Sequence, residues 1–253
     1  MLTIPKILDT PEFLKKEGSI KWDVEKYPDY FTYNIKNEKL LDAICLLNHK
    51  ATLGIVAACS EWVFWRFSKE RRVDNAINSI EALWLAIVDK RYLLNWKYTS
   101  SKGETMYANI LWIIFNNHLF IRDNYKKGDY QMQFRVVNMI MLARHITPNQ
   151  KMFDTWLNDC LKRSLKLFPA QYDRWEVRDD KKKYSQPYDS TSEPPIPREF
   201  YFEPGFDYQT ADIHALLKKF VDEIDISIAT FFFTPEKMLE QGFEGTPYKY
   251  EPK

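Results

Sequence analysis

The chain has 253 residues and carries 36 Lys and Arg against 35 Asp and Glu, a formal net charge of +1. That balance supplies no global field for nucleic acid or an anionic membrane. Only 7 glycines argue against an architecture of many tight hairpins, while 8 Trp, 15 Tyr and 17 Phe supply ample core material, so the composition points to a helical protein.

Residues 1–36 read as an extended lead-in, with Trp22, Tyr27, Tyr30, Phe31 and Tyr33 available to pack on a core. A helical core is expected over 37–168. It opens with Leu40, Ile44, Leu47, Ala51, Ile55, Ala58, Trp62 and Trp65, spaced by three and four along one face. Gly54 lies inside this run and leaves room for a kink or break near Asn48–Gly54. Asp74 is the expected N-cap of the next helix, with the stripe Ile77, Ile80, Trp84 and Ile87. Around Tyr107–Ile121 apolar residues cover every face, which predicts an enclosed central helix. A strand competes for that run, and its length favours helix.

Met132, Val136, Met139, Ala143 and Ile146 mark another amphipathic helix. Thr147-Pro148-Asn149-Gln150 then reads as a capping box with Thr147 as N-cap and proline at the first helical position. Phe153, Leu157, Leu161, Leu165 and Phe168 form the stripe that follows, and Pro169 helps end it. Residues 169–208 have no periodicity and hold the prolines 187, 194, 195, 197 and 204, so they read as an irregular segment wrapped over the surface. Phe200, Tyr201, Phe202, Phe206 and Tyr208 anchor its second half. C-terminal helices and a tail fill 209–253, with Ile213, Leu217, Phe220, Ile224, Ile228 and Phe231 in phase and a short segment from Thr234-Pro235 to about Gly242. The whole reads as one mainly α domain of about seven to nine helices.

Chemical signatures are sparse. His49, His118, His145 and His214 fall on different expected helices, and Cys45 with His49 makes two ligands at most, so no metal site is expected. Cys45, Cys59 and Cys160, an odd and widely spaced set, read as buried thiols of a reduced, cytosolic chain. Cys59-Ser60-Glu61 lies on an amphipathic run where Cys is a small core residue. The sequence has no GxSxG elbow and no phosphate-cradling glycine loop, and it points to no catalytic residue and no cofactor. Lys181-Lys182-Lys183, beside Arg174, Arg178, Trp175 and Tyr184, resembles a single-strand binder, but Asp179 and Asp180 precede it and a solvated loop is the better reading. The first residues lack the apolar stretch of a secretory signal. The longest apolar run, Ile110–Phe115, is far below the ~20 residues of a bilayer span, so no membrane partner is expected.

Residues 207–244 hold eight acids against three lysines, a net of −5. Such a face is either an ordinary solvated surface or one that meets a basic partner.

Four segments carry a resemblance: AACSEWVFWRF (57–67), SIEALWLAIVDKRYL (79–93), LARHITPNQKMFDTWL (142–157) and PPIPREFYFEPGFDY (194–208). With the spacing between them, the chain resembles a family of helical immunity proteins associated with Rhs-type polymorphic toxins in bacterial type VI secretion. The resemblance implies a cytoplasmic, non-enzymatic inhibitor whose partner is a cognate toxin domain and which acts by occlusion. None of its segments is a catalytic signature. On that reading Trp175, Tyr201, Phe206 and Tyr208 are candidate anchors, and Asp222, Glu223 and Asp225 are candidate steering charges. The aromatics fit a structural role equally. An adaptor that binds a secreted effector without inhibiting it, and an enzyme without a recognisable motif, remain alternatives. The tryptophans leave homo-oligomerisation open.

Overall fold

The structure, a computed structural model, describes residues 2–14, 20–22, 29–30, 37–69, 74–93, 103–129, 131–171, 188–228 and 231–252. Trp175 and the 174–184 basic segment lie outside them. The described residues form nine α-helices and no strand. These are α1 (Glu38–Cys45), α2 (His49–Phe67), α3 (Asp74–Val88), α4 (Met106–Lys127), α5 (Met132–Ile146), α6 (Gln150–Leu167), α7 (Glu199–Phe202), α8 (Ile213–Asp222) and α9 (Pro235–Glu240). The protein is thus mainly α; of the segment expected to be irregular, the described part from 188 on is irregular apart from a 3-10 turn at Ser190–Ser192 and the short α7. One antiparallel bridge, Leu47 to Pro169, ties the α1–α2 turn to the end of α6.

The helix starts follow local chemistry. Asn37, Asn48, Thr105, Asn149, Asp212 and Thr234 each accept the backbone N–H three residues on, relieving one orphan donor of the first turn. At 147–150 this corrects the expected cap by two residues. Asn149 caps α6 through Met152 N at 3.0 Å, while Thr147 ends α5 and its hydroxyl donates to Ala143 O at 2.7 Å. Gly128, at φ 69°, closes α4 in the left-handed conformation.

The central helix is α2, not α4. Every α2 residue except Trp65 is buried, and α3, α4, α5 and α7 pack around it. In α4, Leu111 and Trp112 are only partly covered and Phe120 is exposed. The break expected near Asn48–Gly54 falls at the start of that range: the chain turns at Leu46–Asn48, and α2 runs through Gly54 without interruption. Gly54 instead admits the Tyr201 ring, whose hydroxyl would lie 2.2 Å from a Cβ at that position. At the other end, α8 stops at Asp222, short of the apolar pattern that reaches Phe231. One contiguous core gathers residues from Leu2 to Phe202, including Trp62, Phe64, Phe153, Phe168 and Phe200. Each fully buried side chain of this size contributes roughly 1.5–3 kcal/mol.

Candidate partner-binding surface

Three polar groups inside the core could suggest chemistry, and each is committed internally. Glu61 is fully buried on α2. It accepts Arg198 Nε at 2.7 Å and Nη2 at 2.5 Å, and the indole N–H groups of Trp84 at 2.9 Å and Trp65 at 3.0 Å. Four charge-assisted bonds satisfy the carboxylate where burial alone would penalise it. Arg198 also donates to Thr3 O at 2.7 Å, so one side chain joins α2, the start of α7 and the N-terminal segment. Nearby, buried Glu81 accepts Leu2 N at 2.7 Å and Asn78 Nδ2 at 3.0 Å.

The second group sits at the N-terminus of α2. Glu193 accepts the backbone N–H groups of His49 (3.1 Å) and Lys50 (2.8 Å), placing a carboxylate against the positive end of the helix. Burial pushes the Glu193 carboxyl up, yet bonds from the His49 ring and these two amides hold it below the usual range. Lys50 is buried too and donates through Nζ to Glu193 O at 3.1 Å; desolvation lowers its pKa against the pull of Glu193, Asp89 and Asp189. His49 Nε2 meets Gly128 O at 3.0 Å. Cys45 and His49 therefore belong to different helices, with His49 engaged by Glu193 and Gly128.

The third is Ser60 with His118, 2.8 Å apart and both sealed in the core. Burial first, and Arg122 second, lower the His118 pKa to about 3. Burial likewise raises the thiols of Cys59 and Cys160, the latter to about 12. Among the described residues, no group of three or more His, Cys, Asp or Glu is gathered to hold a metal ion. No described helix is long and apolar enough to cross a membrane.

The expected partner residues divide. Tyr201 is a core residue, 1 % exposed, with its hydroxyl on Ala51 O at 3.1 Å, so it is no anchor for a partner in this fold. Phe206 and Tyr208 are half-buried: Phe206 meets Phe200, and Tyr208 packs on Phe168 while its hydroxyl donates to Pro195 O at 2.6 Å. Asp222, Glu223 and Asp225 are exposed together at the end of α8. Asp222 is paired with Lys218, Glu223 lies 4.0 Å from Lys219, and Asp225 accepts Ser227 N and Oγ.

Sequence reasoning missed the Glu61–Arg198 pair, separated by 137 residues, and the Glu193 clamp. One signal was present: Glu61 interrupts an otherwise apolar run between Ser60 and Trp62, and a buried carboxylate requires a partner. No comparable signal marks which distant arginine supplies it.

The architecture thus defines a mainly α protein built on a buried central helix. No protein-family model, curated protein or solved structure matches the chain.

Proposed function

We propose that this chain is an immunity protein that binds a cognate interbacterial toxin domain in the cytosol and neutralises it by occlusion. The observation that carries the reading is the placement of Asp222, Glu223 and Asp225 together on an exposed edge, in a segment of net −5, over a tightly packed core. Their Lys218 and Lys219 pairs are exposed i,i+4 contacts worth about 0.3–0.5 kcal/mol each, so a partner can displace them at small cost. The segments at 57–67, 79–93, 142–157 and 194–208 support the same reading through their resemblance to helical immunity proteins.

Co-expression with the toxin domain encoded beside the gene tests it. Growth rescue with a stable 1:1 complex is the expected result. Failure of both ends the reading. A complex that leaves the effector fully active makes the chain an adaptor instead. Within a confirmed complex, reversing Asp222, Glu223 and Asp225 to lysine should slow association about tenfold at low salt and much less at high salt. An unchanged association rate removes the steering role.

A further inference from the structure

We propose that two adjoining clefts beside α7 form one docking face, which takes a partner segment bearing a large apolar side chain and, across a short ridge, an Arg or Lys. The inference rests on the partner-binding reading above and specifies what the partner presents.

The first cleft, about 480 Å³, lies between α6 and the end of α7, and Ile7, Met152, Trp156, Phe202 and Pro204 give it an apolar wall. The Trp156 indole N–H is spent inward on Tyr201 O at 2.7 Å, and its ring stacks with Phe202 at 6.1 Å and 18°. A pocket of this kind receives the aromatic or aliphatic anchor that dominates an interface.

The second cleft, about 620 Å³, opens between residues 2–6, α7 and α8. Phe202, Glu203 and Pro204 line both clefts and form the ridge between them. Four carboxylates, Glu81, Glu199, Glu203 and Glu223, face three cations, Lys6, Arg198 and Lys219. Most of these charges are already committed. Arg198 is held by Glu61, Glu81 by Leu2 and Asn78, and Lys219 lies 4.0 Å from Glu223.

Lys6, Glu199 and Glu203 remain, two carboxylates against one exposed lysine. The carboxylates sit one turn apart, the Glu203 N–H donating to Glu199 O at 2.8 Å, and neither has an ion pair among the described residues. Burial first, and Glu203 more weakly, push the Glu199 carboxyl up, against the opposing pull of its own backbone N–H, Arg198 and Lys219. A half-buried carboxylate beside a like charge gains from an arriving cation, and a guanidinium can bridge two such groups with its planar fork. Charge complementarity therefore selects a basic residue for the second cleft, next to an apolar one for the first.

Fluorescence anisotropy with labelled peptides tests the face without the toxin. The probes carry Trp and Arg separated by one to three glycines, with controls in which Glu replaces Arg or Ala replaces Trp. We expect saturable binding of at least one Trp/Arg spacing and about tenfold weaker binding of both controls. Thr155→Trp, at an exposed rim position of α6, should fill the apolar cleft and abolish binding. The paired Glu199→Gln and Glu203→Gln changes, conservative in shape, should weaken it severalfold and flatten its salt dependence. Absence of saturable binding at every spacing overturns the proposal. So does equal binding of the Glu control, or wild-type affinity in both variants. Concentration-dependent self-association that Thr155→Trp blocks would assign the face to a second copy and also overturns it. Toxin captured equally by wild type and variants removes this face and leaves the immunity reading intact, whereas peptide binding without toxin capture keeps the face and removes that reading.

Discussion

Gly54→Ala should destabilise this protein although it replaces glycine with the best helix former in the middle of a 19-residue helix. Helix propensity alone predicts a gain of about 1 kcal/mol. A Cβ at Gly54, however, would lie 2.2 Å from Tyr201 Oη, 2.5 Å from Cζ and 2.7 Å from Cε2. Tyr201 has little freedom to retreat. Its hydroxyl donates to Ala51 O, its carbonyl accepts the Trp156 indole, and the rings of Phe200 and Trp84 stand 5.1 and 5.5 Å away. Overpacking of this kind costs about 1–3 kcal/mol, and displacing the buried hydroxyl from its acceptor adds about 1–3. After the propensity gain of about 1 kcal/mol, we expect a net loss of about 1–5 kcal/mol, read as a lower urea midpoint by circular dichroism. The thermal midpoint should fall by about 2–4 °C for each kcal/mol lost in a chain of this length. Tyr201→Leu removes all three clashing atoms, so the double variant should lose much less than the two single losses together. A Gly54→Ala protein as stable as wild type refutes the close-approach account.

The remaining expectations concern the buried polar groups. Glu61→Gln leaves Arg198 without its counter-charge and turns an amide N–H toward indole donors, so unfolding free energy should fall by about 3–5 kcal/mol; a loss below about 1 kcal/mol would mean the network is not holding α7 to α2. His118 has a folded pKa of about 3 against 6.5 for a free histidine, so the unfolded chain binds the extra proton between those values. Its contribution to stability is therefore complete above pH 6.5 and is lost as pH falls toward 3, by about 2 kcal/mol between pH 6.5 and 4.5. Urea midpoints against pH for wild type and His118→Gln check this, and parallel curves would remove His118 as the cause. The Cys59 and Cys160 thiols, fully buried and shifted upward, should react with a disulfide reagent at pH 8 only as the protein unfolds. Prompt native-state reaction of either thiol would contradict the packing of α2 against α6.

Much of the helical layout was legible in the sequence because a one-faced apolar stripe has a single stable use. In α6, Phe153, Leu157 and Leu161 are buried as their spacing requires, and in α5 Val136, Met139, Ala143 and Ile146 are likewise inward. Periodicity failed where burial is not one-faced. A run of large apolar residues made α4 look enclosed, whereas the enclosed helix is α2, in which Ala51, Gly54, Ala57 and Ala58 admit close neighbours. The cap of α6 was misplaced because Thr147 and Asn149 can both serve as caps, and the end of α5 claims the first. Apolar spacing also overran α8, since Ile224, Ile228 and Phe231 keep the period after the hydrogen-bonded helix has ended. For the partner residues the limit is different. Phe206, Tyr208 and Tyr201 are equally aromatic in sequence, and only three-dimensional packing decides that Tyr201 is spent inside.

The same packing explains why the face beside α7 is well placed to bind. A four-residue helix has almost no stability of its own, because nucleation costs more than so few hydrogen bonds return. Here α7 is fixed from both ends by long-range contacts. Arg198 reaches Glu61 on α2, and Tyr201 sits over Gly54 with its carbonyl on the Trp156 indole. Phe202, Glu203 and Pro204 follow directly and form the ridge between the clefts. The ridge is therefore ordered before any partner arrives, and the entropy lost on docking falls mainly on the partner segment. Buried Glu61 serves the surface in this way: it fixes the element that carries Glu199 and Glu203 without touching what they would bind.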